Sequence, residues 1–233
     1  MSDWPELLLI DKPHGITSFD VIRRLRRIYS DSHEGHKAPK LGHAGTLDPL
    51  ATGLMLLGVG AGTKKLGELI KLDKEYIAEV RLGESRTTGD LEGDIVEEYA
   101  IDSPVELLTS AVQSCLVNFC GEHTLPVSAY SAIKVGGVPM YKRARKAELT
   151  GDTIINIPMR AMTVHDVELC EVTVGGSRAV ASIRFKVASG TYIRSLAEEL
   201  GRQLGYPATL QNLRRTKVGE YKIEDAYKLA DLK

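Results

Sequence analysis

Few residues in this chain have the type and setting to do chemistry. One carboxylate, Asp48, stands in Gly42-His43-Ala44-Gly45-Thr46-Leu47-Asp48-Pro49-Leu50-Ala51-Thr52-Gly53, among glycines and small residues that let backbone approach a ligand. An ionised carboxylate in such a place can act as a nucleophile or stabilise a cation-like sugar transition state. Taken alone, Asp-Pro reads instead as a turn initiator. Other constellations fail on spacing. In GVGAGTKK at 58–65, Thr63 separates Gly62 from Lys64, so the segment is neither a Walker A loop nor a Rossmann turn. His33, His36 and His43 match no helix face or knuckle, so no metal site is expected. There is no G-x-S-x-G elbow, and Ser128, Ser131 and Ser195 have no local partner to activate them.

The elements that must position Asp48 can be read from periodicity. Leu7 to Ile10 reads as a buried strand. Thr17 or Ser18 then caps a helix through Val21, Ile22, Leu25 and Ile28 whose other face carries Arg23, Arg24, Arg26 and Arg27. Residues 30–46 read as a long loop, Leu54 to Val59 as a strand and Thr63 to Leu72 as a helix. Tyr76 to Leu82 alternates as a half-buried strand, with Ile95 to Tyr99 returning as its partner after the turn at Gly89, Asp90, Gly93 and Asp94. Helical spacing marks 104–119 and 138–149. Two further strands, 164–174 and 179–187, join through Gly175-Gly176, and a helix over 191–204 ends at Gly205. Without regular βαβ alternation, the expected class is α+β with a mostly antiparallel mixed sheet flanked by helices and loops.

Composition narrows the setting. With 43% hydrophobic and 26% charged residues among 233, the chain is an ordinary globular protein, which excludes disorder, collagen and coiled coil. No repeat, low-complexity tract or linker is present, so a single domain over 1–233 is the expectation. Cys115, Cys120 and Cys170 form no C-x-x-C pair and read as inert core thiols in a reducing cytosol. The longest apolar run, Leu54 to Gly62, is interrupted by glycines and falls short of the about 20 residues a membrane span needs. The start, MSDWPELLLIDKP, lacks the basic flank of a signal peptide, so a cytoplasmic location without membrane association is expected. Net charge is -1 and argues for no partner, but its distribution is uneven. Residues 92–106 hold six acids and no base, whereas bases gather at 23–27, at Lys64 and Lys65, at Lys142, Arg143, Arg145 and Lys146, and at Arg214, Arg215 and Lys217.

The segment GHAGTLDPLATGLMLLGVGAGTK closely resembles the signature of the tRNA pseudouridine synthase B family. The resemblance runs along the whole chain: LLIDKPHGITS at 8–18, KEYIAEVRLGESRTTGDLEGDI at 74–95, YSAIKVGGVPMYKRAR at 130–145, SGTYIRSLAEELGRQLG at 189–205 and ATLQNLRRTKVGEY at 208–221. It implies the pseudouridine synthase fold and isomerisation of the T-loop uridine at tRNA position 55, with no cofactor or metal. By the same resemblance Asp48 is the catalytic carboxylate, adding to C1′, to C6, or assisting a glycal route. Arg194 matches the arginine that pairs with it, Tyr76 the residue that stacks on the base, Tyr192 a pocket residue, and His43 the residue that fills the space of the flipped base. Residues 124–150 resemble an RNA-gripping insertion with Lys134, Tyr141, Lys142, Arg143 and Arg145. Lys64 and Arg214 are expected near phosphates. The partner implied is the tRNA T-arm stem-loop, with monomer as the default.

This chain also departs from the family pattern. With Lys233 directly after the catalytic portion, no C-terminal RNA-binding module is expected; residues 30–40 look longer than typical, and HTLPVSAYSAIK and Lys146-Ala147 differ from the usual insertion. Two other classes stand beside the isomerase. An idle RNA-binding module is opposed by intact Asp48, Tyr76 and Arg194. A nucleoside or carbohydrate hydrolase lacks a second positioned carboxylate.

Overall fold

The computed structural model describes residues 4–131, 133–150 and 157–232. In chain order the elements are β1 (Leu7–Lys12), α1 (Ser18–Ser32), β2 (Leu41–His43), β3 (Thr52–Val59), a 3-10 turn at Gly60–Lys65, α2 (Leu66–Leu69), β4 (Lys74–Leu82), β5 (Glu84–Arg86), β6 (Ile95–Glu98) and α3 (Val105–Val117). There follow β7 (Gly121–Pro126), β8 (Lys134–Val135), β9 (Val138–Pro139), α4 (Met140–Thr150), β10 (Met159–Gly175), β11 (Arg178–Val187), α5 (Ile193–Leu204), β12 (Ala208–Val218), β13 (Tyr221–Lys222) and β14 (Tyr227–Lys228). The chain divides into two compact units. The first takes Met1–Ile77, Arg184–Ser189 and Asn212–Lys233, and the second takes Ala78–Ile183 and Gly190–Gln211.

In the first unit β3 is the central strand. It pairs antiparallel with β1 from Leu7↔Gly58 to Lys12↔Gly53, antiparallel with β2 at His43↔Leu57, and parallel with β12 at Arg214↔Thr52 and Arg215↔Gly53. Strand β14 adds to β1 in parallel. From Gly53 to Val59 every residue of β3 is buried, the near-continuous apolar run of a strand covered on both faces. One face carries Leu54 and Leu56, packed with Ala44, Val218, Leu66, Leu69 and Leu72; the alternate residues Met55 and Leu57 are fully buried as well. Helix α1 starts at a capping box in which the Thr17 hydroxyl accepts from the Asp20 amide and the Asp20 carboxylate from the Thr17 amide. It buries Val21, Ile22 and Leu25 and exposes its four arginines.

In the second unit β7 and β10 pair antiparallel from Met159↔Pro126 to Val164↔Gly121, and β10 has β11 on its other side. Helix α3 buries Leu108, Val112 and Leu116. Helix α5 buries one continuous face and ends at Gly205, whose φ of 78° makes it the left-handed cap expected of it. The expected class, α+β with a mostly antiparallel mixed sheet, is what the pairings show.

Several expectations are corrected. Ile95–Glu98 does not return along β4; it pairs with Glu84–Arg86. The reason is Gly83, whose φ of 95° turns the chain after Leu82, while β4 is already flanked by β12 and β11. Residues 30–46 are not one loop, because α1 continues to Ser32 and Leu41–His43 forms β2 on the edge offered by β3. The helix over 63–72 is a 3-10 turn and a single α turn, since Gly60, Gly62 and Gly67 weaken it. Strands β7 and β12 were not foreseen. Cys120 and Cys170 are exposed and Cys115 only partly buried, so none is a core thiol. Among the described residues no helix is long and apolar enough to cross a membrane.

Gly53 has a φ of 104°, and a Cβ there would lie 2.3 Å from the Arg215 carbonyl oxygen across the β3–β12 pairing. Gly53→Ala is therefore expected to cost about 3 kcal/mol, strain and clash together. Gly15→Ala, where the φ is also positive but the space is open, should cost about 1 kcal/mol. Urea unfolding midpoints of the two variants against the parent check this difference.

Candidate active site

The Asp48 loop lies between β2 and β3 in the first unit and is braced at three points. At its start the Arg215 guanidinium, 1% exposed, donates to the Gly45 carbonyl at 3.3 Å and to the Leu54 carbonyl at 2.6 Å. In the middle the buried Ser18 hydroxyl donates to the Leu47 carbonyl at 2.9 Å and accepts from the Leu47 amide at 2.8 Å. At its end the Lys12 amino group, wholly buried, donates to the carbonyls of Pro49 at 3.2 Å, Ile16 at 2.6 Å and Pro13 at 3.0 Å. The Gly15 amide also reaches the Pro49 carbonyl, at 2.9 Å, and the Ala51 amide closes a turn on the Asp48 carbonyl at 3.1 Å. Asp48 is half-buried at the centre of these contacts. Both readings of Asp-Pro hold together: the residue initiates a turn, and the turn presents a carboxylate on fixed backbone.

His43 closes β2, half-buried. Burial holds its imidazole below the usual 6.5, the Arg215 charge acts in the same direction, and the Gly45 backbone opposes both. Its Nδ1 is buried without a hydrogen-bond partner among the described residues. Tyr76 lies on β4, 8% exposed, on the same side of the strand as Lys74. Burial, aided by Arg215 and opposed by Asp73, pushes Lys74 down to about 8, and its amino group donates to the carbonyls of Ile70 and Leu72. Lys64 is exposed on the 3-10 turn. Arg214, expected near phosphates, makes a two-pronged bond to Asp11 at 3.1 and 2.8 Å.

In the second unit Arg194 lies in the first turn of α5, 5% exposed, and its guanidinium donates to the Thr88 carbonyl at 2.8 Å, the Ser128 hydroxyl at 3.0 Å and the Tyr130 carbonyl at 3.1 Å. Its carboxylate partner within this unit is Asp90, at 3.5 Å. Sequence reasoning passed over Asp90 as turn chemistry. It is 3% exposed and accepts from the Thr88 hydroxyl at 2.6 Å and the Glu92 amide at 3.1 Å. Its signal was the run Thr87-Thr88-Gly89-Asp90, a turn too polar to be buried without a positive partner. Tyr192 is the half-buried residue that caps α5.

Residues 124–150 contain the end of β7, the β8–β9 hairpin and α4. Helix α4 buries Met140, Ala144 and Ala147 at helical spacing and exposes Lys142, Arg143, Arg145 and Lys146. Arg145 lies 6.0 Å from the ring of Tyr141. Lys134 is exposed on β8. Tyr141 and the bases of 142–146 therefore share α4, while Lys134 lies on β8.

This architecture has a solved counterpart. The structure of an H/ACA RNP bound to a substrate RNA containing 2′-deoxyuridine superposes with a TM-score of 0.64 at 25% identity, covering 97% of this chain and 51% of that one. The fold is that of a pseudouridine synthase. Residues 33–193 match the TruB family pseudouridylate synthase N-terminal domain and residues 194–233 the tRNA pseudouridylate synthase B C-terminal domain, so the chain belongs to the TruB family. Among its relatives, proteins named tRNA pseudouridine synthase B from Corynebacterium efficiens, Leifsonia xyli and Mycobacterium avium are 42%, 40% and 38% identical. These matches cover 97–98% of this chain and 69–71% of the relatives. The chain thus spans about seven-tenths of these relatives and about half of the solved counterpart.

Two outcomes follow from the site's electrostatics. Arg194→Met leaves Asp90 buried without its cation and is expected to cost about 3–5 kcal/mol, with part recovered when Asp90→Asn is added, read by denaturant unfolding in a double-mutant cycle. Because His43 binds a proton more weakly folded than unfolded, its contribution to stability is present above pH 6.5 and lost as pH falls below it. His43→Asn should therefore flatten the thermal-midpoint profile below pH 6.5.

Proposed function

We propose that this chain converts uridine to pseudouridine in tRNA, at the T-loop uridine of tRNA position 55, with Asp48 as the catalytic carboxylate. The observation that carries the reading is the Asp48 loop itself: a half-buried carboxylate on backbone fixed by Lys12, Ser18 and Arg215. The names of the relatives supply the reaction class. The reaction cleaves the N1–C1′ bond, turns the uracil and forms a C5–C1′ bond, after which C5 gives up its proton to solvent and N1 takes one up. Nothing is gained or lost overall, so the site must hold the detached base and exclude water. A fixed carboxylate stabilises positive charge at C1′ without reorganising, and it can equally add to C6.

In this proposal Arg194 supplies the positive charge that keeps Asp48 ionised and oriented. Tyr76 stacks on the uracil and takes part in moving the C5 proton, and Tyr192 lines the pocket. His43, held neutral, fills the space left by the flipped nucleotide. Lys134, Tyr141 and Arg143 grip the T-arm stem-loop through backbone and stacking, with Lys64 and Arg214 contributing near phosphates. Residues 1–233 act as one catalytic domain with the insertion at about 124–150, as a cytoplasmic monomer needing no cofactor or metal.

The test is single-turnover release of tritium from C5-labelled uridine in a T-arm stem-loop and in whole tRNA. Release by the parent protein should fall by about a thousandfold in Asp48→Asn, which preserves the shape of the loop. Binding without release by the parent on both RNAs would instead favour an idle RNA-binding module.

A further inference from the structure

Positive charge along α1 and the chain that follows it is not equally available. Arg23 bonds Asp20, and Arg27 lies 3.7 Å from Asp31. A cavity of about 700 Å³ beside Arg24 and Arg27 also exposes the carboxylates of Asp11 and Asp31, so an anion entering it meets acids as well as bases. The other flank of the helix differs. There a cavity of about 590 Å³ is lined by Arg26, Ser30, Lys37, Ala38, Pro39 and Lys40. It presents three cations and one hydroxyl, and among the described residues no carboxylate lines it. Among the described residues, Arg26, Lys37 and Lys40 have no acidic partner.

The local backbone explains why these cations converge. Arg26 and Ser30 are one helical turn apart and share a face of α1. Ala38 and Pro39 are half-buried, and the Lys40 carbonyl accepts from the Gly60 amide at 2.8 Å, which ties the segment down where it enters β2. Like charges held together repel unless an anion sits between them, so this arrangement favours a polyanion over water. Lys40 precedes His43 by three residues of extended chain, about 10 Å. Lys37, Ala38, Pro39 and Lys40 come from the segment that joins α1 to β2.

We propose that the Arg26, Lys37 and Lys40 pocket binds a backbone phosphodiester of the RNA substrate, beside the position at which His43 meets the flipped nucleotide. This rests on the proposed function, since it takes the same RNA as ligand. The guanidinium offers two parallel donors to the phosphate oxygens, the lysines add point charge, and the Ser30 hydroxyl supplies a neutral donor. The contact reads no base, so it adds affinity and register without sequence preference.

The test measures binding of an unmodified, fluorescently labelled tRNA transcript to the full chain over a series of KCl concentrations. Compared are the parent, Arg26→Gln, the triple variant Arg26→Ala, Lys37→Ala, Lys40→Ala, and Lys71→Ala as an exposed lysine outside the pocket. Each lost phosphate contact lowers the slope of log affinity against log salt by roughly 0.7–0.9. The triple variant should lose about 1 from the slope and bind about tenfold more weakly at low salt, Arg26→Gln should lose a smaller part, and Lys71→Ala should match the parent. All three side chains are exposed, and a parent-like thermal midpoint confirms the fold; the single variant carries the test if the triple one unfolds. A parent-like slope in both pocket variants, or an equal loss in Lys71→Ala, overturns the proposal. Pseudouridine formation by the parent on the same transcript separates the two readings: product with an unchanged slope sinks the pocket alone, whereas no product sinks the function beneath it.

Discussion

An amino group taken out of water must find acceptors, and Lys12 finds them in the carbonyls that surround the Asp48 loop. Pro49 is one of these acceptors, and because proline has no amide of its own to bond, its carbonyl becomes the handle by which the loop is held. Strand β1 delivers Lys12 because it pairs along its whole length with β3, and β3 in turn carries the loop's far end. The apolar run of β3 is thus the foundation of the site. Its two buried faces keep the strand in one register, and a slip of one residue would turn Lys12 and the loop away from each other.

Arg215 performs the matching task from β12. Buried almost completely, it spends its donors on the carbonyls of Leu54 and Gly45, and its charge reaches His43 and Lys74. Both of those groups are already penalised by burial, so a nearby guanidinium favours their neutral forms further. A residue with no part in the proposed reaction thereby biases the protonation of its neighbours. In the second unit Arg194 and Asp90 repeat the pattern: a buried charge pair whose remaining donors are taken up by backbone and a hydroxyl.

Charge clusters seen in the sequence acquire different meanings once partners are known. Arg23, Arg27 and Arg214 are each next to a carboxylate, whereas among the described residues Arg26, Lys37 and Lys40 are not. The bases on α4 stand on a face opposite a small-residue stripe, which leaves them to solvent. Counting lysines and arginines could not distinguish these cases: Arg23 and Arg27 pair with carboxylates three and four residues away on α1, whereas Arg214 meets Asp11 only because distant chain segments come together.

Much was legible beforehand. The cap at Thr17, the α1 face, the alternation of β4, the end of α5 at Gly205 and the motif around Asp48 rest on neighbours within a few residues, where side-chain period and turn chemistry act locally. What escaped the sequence was set by partners far along the chain: β2 exists because β3 offers an edge, β6 pairs with β5 because Gly83 diverts the strand, and β12 forms where β3 and β4 lie on either side of it. The buried roles of Lys12, Arg215 and Asp90 belong to the same category. The sequence by itself determined which residues could do chemistry and the family they belong to; the tertiary structure alone decided which charges are buried and paired, because desolvation and pairing exist only once distant strands have met.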